Sequence, residues 1–220
     1  MTALEPPPAV SRSLHAPPFR PKPAPGGLLL RGATLSYLGV VVVLPLVSLE
    51  EYEHTAYEPD MEYADGVLIG RNVGTQLHGL LQTIISAYLH QLRKTFGFVV
   101  FTETRLRMST SRHVVPDVMI VERPYVRGKT VTDVPAVVFE IKSPDDTLDG
   151  LFDKCLEYAA LGVENIVVLD PDPTHRRQYI FTDDALRLVG TEIILRLPKS
   201  EGNLSFPVGA MFAELDEETN

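Results

Sequence analysis

Two short acidic motifs in this sequence could together hold a divalent cation. Asp117 lies at one end of an apolar run, and Glu140, Ile141 and Lys142 end a second apolar run at 136–139. Side chains alternate along a strand, so Glu140 and Lys142 should point to the same face. Buried charges are costly unless they are paired or bind a metal. Two carboxylates and a lysine at the ends of neighbouring strands are therefore typical of metal-assisted phosphodiester hydrolysis.

Each residue of this set has a predicted role. Asp117 and Glu140 should bind Mg²⁺, because this ion prefers hard oxygen ligands and keeps several waters. The backbone carbonyl of Ile141 is the predicted third ligand, and Mn²⁺ is the expected substitute metal. Lys142 should orient or deprotonate the attacking water and offset charge on the phosphate.

The composition bounds the class of protein. The chain has 220 residues, of which 45% are hydrophobic, so it can bury a core. It has a single cysteine, Cys155, which excludes an intramolecular disulfide and a CxxC metal site, and a reducing cytoplasm fits best. The net charge of −9 argues against strong non-specific binding of nucleic acid.

The charge is unevenly distributed along the chain. Residues 71–129 contain nine Lys and Arg against three Asp and Glu, a net +6, so the other residues carry −15. This basic stretch surrounds Asp117, where a phosphate backbone would approach. Arg105 and Arg107 within it are predicted DNA contacts. The alternative is that these cations protect strand edges from aggregation.

The first 46 residues differ from the rest. Residues 1–27 are rich in proline and lack apolar periodicity, which predicts an extended, disordered tail. The apolar run at 28–47 contains Arg31, Gly32 and Pro45, which disfavours a membrane anchor, although that remains an alternative. The favoured interpretation is that the domain begins near Val47 and that 1–46 is a disordered upstream extension, which need not even be translated.

The remaining chain predicts one α/β domain at 47–213, followed by an acidic tail at 214–220. Capping, turn and periodicity signals predict a mixed sheet flanked by helices. The predicted helices are 48–56, 73–95 and 148–161, and a hairpin turns at Asp65-Gly66. The predicted strands are 98–108, 114–121, 134–142, 165–169, 176–181, 185–189 and 192–197.

A series of motifs, in order along the chain, resembles one known family. The motifs are Glu62-Tyr63-Ala64-Asp65-Gly66, His78 in the long helix, Val115-Pro116-Asp117-Val118, 135–144 (PAVVFEIKSP), Asp153-Lys154, Glu157-Tyr158, Gly162-Val163 and Val168-Leu169-Asp170-Pro171. Together they are similar to the bacterial restriction-endonuclease family of the Uma type, within the PD-(D/E)XK nuclease superfamily. The resemblance covers about residues 47–213. Where family members often lack the lysine of the 135–144 motif, this chain has Lys142.

The resemblance implies a restriction-endonuclease-like fold and Mg²⁺-dependent hydrolysis of DNA by a homodimer, leaving a 3′ hydroxyl and a 5′ phosphate. It implies that Glu62 supports the metal, whereas a solvated strand residue is the alternative. His78 would contact phosphate or, alternatively, be a satisfied core histidine. Lys154 would reach the scissile phosphate or brace Glu140, unless it is a surface lysine.

Two other functions remain open. A non-catalytic DNA- or metal-binding module could keep the fold, and the negative net charge favours it. A metal-dependent hydrolase of small phosphoesters could use the same three residues, but only a nuclease should need the basic stretch. The complete set of Asp117, Glu140 and Lys142 favours the nuclease, because a scaffold does not need such costly charges.

Overall fold

The computed structural model describes residues 32–37, 40–72, 74–200 and 202–219, with side chains from residue 46 onward. The helices are α1 (Leu49–His54), α2 (Gln76–Leu92), α3 (Leu148–Leu161) and α4 (Val208–Thr219). The strands are β1 (Gly32–Tyr37), β2 (Val40–Pro45), β3 (Glu62–Ala64), β4 (Val67–Ile69), β5 (Phe98–Thr102), β6 (Leu106–Arg107), β7 (Arg112–Val114), β8 (Val118–Glu122), β9 (Val137–Ile141), β10 (Asn165–Asp170), β11 (Arg177–Thr182), β12 (Ala185–Leu188), β13 (Ile193–Leu197) and β14 (Gly202–Phe206).

The central sheet has six strands in the order β12-β11-β10-β9-β8-β5. β9 and β10 are parallel and the other neighbours are antiparallel, so the sheet is mixed. A parallel pair needs a crossover, and α3 provides it between β9 and β10. The predicted α/β fold with a mixed sheet flanked by helices is confirmed.

Each face of the central sheet is buried by different elements. On one face Phe139 of β9 packs in a cluster with side chains of α2, α4 and the β13–β14 hairpin. On the other face Val138 and Val168 pack with Cys155 and Tyr158 of α3. β8, β9 and β10 are buried along their whole length, as expected for strands covered on both sides.

Local signals explain where the helices begin and end. The side chains of Ser48, Thr75 and Thr147 each accept a hydrogen bond from a backbone N–H of the following first turn, as N-caps do. Gly162 ends α3 in the left-handed conformation with φ of 99°. α3 therefore coincides with its prediction, and the longest helix, α2, is shorter than predicted at both ends.

The β3–β4 hairpin turns where the sequence predicted. Asp65 and Gly66 both have positive φ, 49° and 91°, which a tight two-residue hairpin requires. β3 also pairs with β7, and β7 with β6, so a second sheet forms in the order β4-β3-β7-β6. Glu62 at the start of β3 thereby lies beside Val115, whose N–H donates to it at 3.3 Å.

Two predicted strands are each divided between the two sheets. The predicted strand 98–108 becomes β5 and β6, separated where Glu103 has a φ of 44°. The predicted strand 114–121 begins only at Val118 because Pro116 has no N–H for a sheet ladder, and β7 precedes it. Asp117 therefore lies where the chain passes from the small sheet into the central one.

The C-terminal elements extend beyond the prediction. β14 and α4 had no sequence prediction, and the acidic residues up to Thr219 continue α4. The pattern of buried Val208, Met211, Phe212 and Leu215 has helical spacing, with the acidic side chains outside it. The acidic residues within 214–219 thus lie on the polar face of a packed helix.

The proline-rich segment 1–27 lies outside the described residues. Within the apolar run at 28–47, β1 and β2 form an antiparallel pair from Gly32↔Pro45 to Tyr37↔Val40. Across the described parts of the chain, no helix combines the length and apolar character needed to cross a membrane.

Candidate active site

Asp117 is held by donors from three parts of the chain. Its Oδ2 accepts the N–H of Ile141 at 2.7 Å and lies 3.2 Å from Nε2 of His78. Its Oδ1 accepts a hydrogen bond from Nη2 of Arg71 at 3.1 Å. Gln82 of α2 donates to its backbone carbonyl at 2.9 Å. Asp117 is therefore fixed to the end of the neighbouring strand β9 and to the beginning of α2.

The Asp117–His78 contact favours the charged form of both groups. Burial opposes ionisation of Asp117, but the hydrogen bond and charge of His78 lower the pKa of the carboxyl below its ordinary value. Burial likewise opposes protonation of His78, but Asp117 raises the pKa of the imidazole. His78 is thus buried as in the core alternative, yet its ring partner is the predicted metal ligand.

Glu140 on β9 is also buried and has two donors. The hydroxyl of Tyr158 donates to its Oε1 at 2.5 Å, and Nζ of Lys154 donates to its Oε2 at 3.1 Å. Burial raises the pKa of Glu140 to about 7; Lys154 opposes this shift, while the charges of Asp117 and Glu62 add to it. Neighbouring carboxylates that disfavour each other's charge are typical of cation sites.

Glu62 joins the same cluster from the small sheet. Its Oε1 lies 3.0 Å from Nζ of Lys154, and its Oε2 lies 2.9 Å from Nη2 of Arg112. Burial opposes the charge of Glu62, but Lys154 and Arg112 lower its pKa. Burial also opposes the charge of Lys154, but Glu140 and Glu62 raise the pKa of its ammonium group. Lys154 therefore bridges two carboxylates as a cation.

Lys142 is placed differently from the prediction. Its Nζ lies 3.5 Å from Oδ2 of Asp170 at the end of β10, and it does not line the cavity beside Asp117 and Glu140. The lysine that contacts Glu140 is Lys154. The role of Lys142 in orienting water stays a prediction.

Arg105 is tied to the protein itself. Its guanidinium donates to both carboxylate oxygens of Asp60, to the carbonyls of Tyr52 and Thr55, and stacks 4.1 Å over the ring of Tyr52. To contact DNA it would have to give up these partners, so its evident role is to join α1 to the loop before β6. Arg107 is half-exposed and pairs with Glu53 at 2.7 Å.

Part of the predicted basic stretch is thus neutralised by ion pairs within the described residues. Arg105, Arg107 and Arg112 pair with acidic residues from outside the basic stretch. A count of charges along the sequence could not anticipate these pairs, because the partners come from distant segments.

The cavity at this site has a volume of about 540 Å³. Its basic lining residues are Arg71, Arg112 and Lys154, together with His78. Its acidic lining residues are more numerous: Glu62, Glu103, Asp117, Glu140, Asp145, Asp146, Asp153 and Glu157. A phosphate group would meet a negative potential here unless cations neutralise it.

The oxygen atoms available as metal ligands suit an ion such as Mg²⁺ better than a metal that side chains coordinate on all sides. Within the described residues, no three His, Cys, Asp or Glu side chains converge as a metal-binding group. Mg²⁺ is commonly held by one or two carboxylates and several waters. Each oxygen of Glu140 has one donor in the contacts above, which leaves it a lone pair, and the backbone of Ile141 lies against Asp117.

Two residues of the site were not candidates from the sequence. Tyr158 was named only as part of the family motif Glu157-Tyr158, and it is fully buried against Glu140. Its spacing of four from Lys154 places both side chains on one face of α3. Arg71 lies in the loop before α2, and only its position in the basic stretch marked it.

The comparisons with known proteins agree with this architecture. The family model Uma2, described as "Putative restriction endonuclease", matches residues 49–210. A crystal structure of a "putative nuclease belonging to DUF820" from Anabaena variabilis ATCC 29413 is similar, with a TM-score of 0.62 and 19% identity. The match covers 77% of this chain and 99% of that chain, and at this identity it shows the fold alone.

A second solved structure is more distant. A cryo-electron microscopy structure of a DrdV–DNA complex matches with a TM-score of 0.30 and 16% identity, over 64% of this chain and 14% of that chain. At that score the likeness carries no argument. No curated protein matches this chain.

Proposed function

The chain belongs to the Uma2 family of restriction-endonuclease-like proteins, and on that premise we propose that it is a Mg²⁺-dependent endonuclease that hydrolyses DNA. One observation carries the proposal. Asp117 and Glu140, from neighbouring strands, line one cavity together with Lys154. Two buried carboxylates beside a lysine would suit a divalent cation and a phosphate at one place.

Asp117 and Glu140 would hold Mg²⁺, or Mn²⁺ in its place, and the carbonyl of Ile141 is the proposed third ligand. The ion would supply a bound water of lowered pKa and would offset negative charge on the phosphate. His78 would keep Asp117 ionised and oriented for this task, since it lies 3.2 Å from Oδ2.

Lys154 would act on the phosphate. Its ammonium group is held between Glu62 and Glu140, so its position is fixed before the substrate arrives. From there it would donate hydrogen bonds to phosphate oxygens as negative charge develops on them. Glu62 would be a positioning residue that orients Lys154. Lys142 remains the alternative lysine, and it would have to leave Asp170 to take this role.

In the proposed reaction the oxygen of a water forms a bond to phosphorus while the bond from phosphorus to the 3′ oxygen breaks. A proton leaves the attacking water, and the 3′ oxygen gains one. The products are a 5′ phosphate and a 3′ hydroxyl, as the resemblance to the superfamily implies.

One observation favours the binding-module alternative. The cavity lining is mainly acidic, and the two predicted DNA contacts, Arg105 and Arg107, are paired within the protein. A catalytically silent module would tolerate this arrangement. The nuclease needs the bound cation to make the cavity attractive to phosphate.

The test is cleavage of supercoiled plasmid by the full chain in Mg²⁺, Mn²⁺ or EDTA, with Glu140→Gln beside it. Nicking or linearisation that requires metal and is lost in Glu140→Gln supports the nuclease. Glu217→Gln is the matched control, since Glu217 is exposed on α4 and does not line the cavity. Cleavage of bis(p-nitrophenyl) phosphate without plasmid cleavage would instead favour a small-phosphoester hydrolase.

We infer in addition that the enzyme is a homodimer, because two copies of the site are the simplest means to cut both strands. A cytoplasmic location is also part of the proposal. Light scattering on the purified chain would report the oligomeric state.

A further inference from the structure

Arg71 is the cation of the cavity that is held least tightly among the described residues. Its Nη2 lies 3.1 Å from Oδ1 of Asp117, whereas its second carboxylate, Glu103, is 4.0 Å away. Lys154 has two carboxylates at 3.0 and 3.1 Å, and Arg112 has two at 2.7 and 2.9 Å. Arg71 would therefore give up the fewest close ion-pair contacts if it moved away from Asp117.

The two oxygens of Asp117 are not equivalent. Oδ2 faces two donors, the N–H of Ile141 and Nε2 of His78, which is about what the lone pairs of one carboxylate oxygen accept. Oδ1 has Arg71 as its donor among the contacts described above. A cation that binds Asp117 must therefore approach Oδ1, the oxygen that Arg71 contacts.

We propose that Arg71 holds Asp117 Oδ1 while the site is free of metal, and contacts a phosphate of DNA once a divalent cation takes that oxygen. The inference rests on the proposed nuclease function and deepens it by naming a substrate-positioning residue. A divalent cation beside Oδ1 repels the guanidinium, and a phosphate offers it the same two-oxygen geometry that a carboxylate does.

The acidic lining of the cavity explains why this exchange of partners would help DNA to bind. Acidic side chains outnumber basic ones in the lining, and Lys154 and Arg112 are each engaged by two carboxylates. A bound cation that displaces Arg71 both neutralises Asp117 and frees a guanidinium inside the cavity. The site would thus become attractive to phosphate only after metal binds.

The test measures two affinities of the full-length Arg71→Ala variant, one for Mn²⁺ and one for DNA. Relative to the wild type, these affinities should change in opposite directions. By calorimetry without DNA, the variant should bind Mn²⁺ about threefold tighter or more, because a competing cation is gone. By fluorescence anisotropy in Ca²⁺, chosen to limit cutting, it should bind a labelled duplex about tenfold more weakly, because a charged phosphate contact is lost. In EDTA its DNA binding should equal that of the wild type.

Arg127→Ala is the matched control, since Arg127 is exposed in the same basic stretch and does not line the cavity. It should leave Mn²⁺ binding unchanged and alter DNA binding equally in Ca²⁺ and EDTA.

Weaker binding of both Mn²⁺ and DNA by Arg71→Ala would mean that Arg71 only supports Asp117, and would overturn the inference. So would tighter Mn²⁺ binding with unchanged DNA binding in Ca²⁺. A wild-type chain that binds no Mn²⁺ would instead refute the proposed function itself.

Discussion

The hydroxyl of Tyr158 donates a 2.5 Å hydrogen bond to Oε1 of Glu140, and both side chains are buried. This contact lowers the pKa of Glu140 against the larger effect of burial. It joins α3 to β9 at the residue proposed to bind metal. The buried carboxylate would lose a donor if the hydroxyl were removed.

We predict that Tyr158→Phe destabilises the fold by about 1–3 kcal/mol, because a buried acceptor is left without its partner. The variant should also bind Mn²⁺ more weakly at neutral pH, since a carboxyl with a higher pKa is less available to a cation. Urea unfolding and calorimetry measure the two effects. Tyr88→Phe is the control, because its hydroxyl bonds the carbonyl of Ser205 at an exposed place. Equal behaviour of the two variants would contradict the role of Tyr158.

The burial of His113 should make the free energy of unfolding depend on pH. It is fully buried, neither ring nitrogen has a hydrogen-bond partner among the described residues, and Nε2 lies 3.7 Å from Glu53. Burial lowers the pKa of His113 below its ordinary value of 6.5, and nearby Arg107, Arg105 and Arg112 add to this while Glu53 opposes it. As the pH falls below 6.5 the unfolded chain binds this proton more readily than the folded chain does, so the free energy of unfolding falls.

Replacement of His113 by Phe should remove this dependence, because an aromatic ring is kept and the titrating group is gone. The difference in unfolding free energy between variant and wild type should grow in the variant's favour from pH 7 to pH 5. Urea titrations at several pH values measure it, with His90→Gln on the exposed side of α2 as the control. Parallel stability curves for wild type and His113→Phe would show that His113 does not titrate as described.

Replacement of Arg105 and of Arg107 by Ala should lower the stability of the fold by very different amounts, although the two residues are only two positions apart. Arg105→Ala should cost about 2–4 kcal/mol of stability, since it removes a partly buried cation and takes a donor away from Asp60 and from the carbonyls of Tyr52 and Thr55. Arg107→Ala should cost less than about 1 kcal/mol, because its ion pair is partly exposed. Thermal or urea unfolding compares the two, and similar losses would contradict the structural role of Arg105.

Arg107→Glu is consequently the cleaner test of the basic stretch as a DNA surface. It should weaken plasmid cleavage, whereas Arg105→Glu would mix that effect with unfolding. If Arg107→Glu cuts plasmid as well as the wild type, the basic stretch does not contact DNA at that point.

The parts of the fold that the sequence predicted are those with local signals. α3 follows from its turn chemistry and Gly162, and the β3–β4 hairpin follows from Asp65-Gly66. The family resemblance is confirmed by the match over residues 49–210. The approach of Asp117 to Glu140 was predictable because each ends an apolar run and their strands pair.

The partners of the site's cations were not predictable, because they depend on the alignment of distant strands. Glu140 pairs with Val168 across β9 and β10, so Asp170, two residues on, lies on the same face near Lys142 and pairs with it. Lys154 reaches Glu140 only because α3 packs across that face. Strand alternation predicted the direction of Lys142 but not the carboxylate beside it.

The most direct test of the account is plasmid cleavage in Mg²⁺ by Lys154→Ala and Lys142→Ala, side by side with the wild type. Lys154→Ala should lose at least about 100-fold in cleavage rate, since it removes the cation held between Glu62 and Glu140. Lys142→Ala should retain most of the activity, because Lys142 pairs with Asp170 outside the cavity. Circular dichroism and Mn²⁺ affinity of both variants would exclude misfolding as the cause. Loss of cleavage in Lys142→Ala with full cleavage in Lys154→Ala would contradict the assignment of Lys154 to the site.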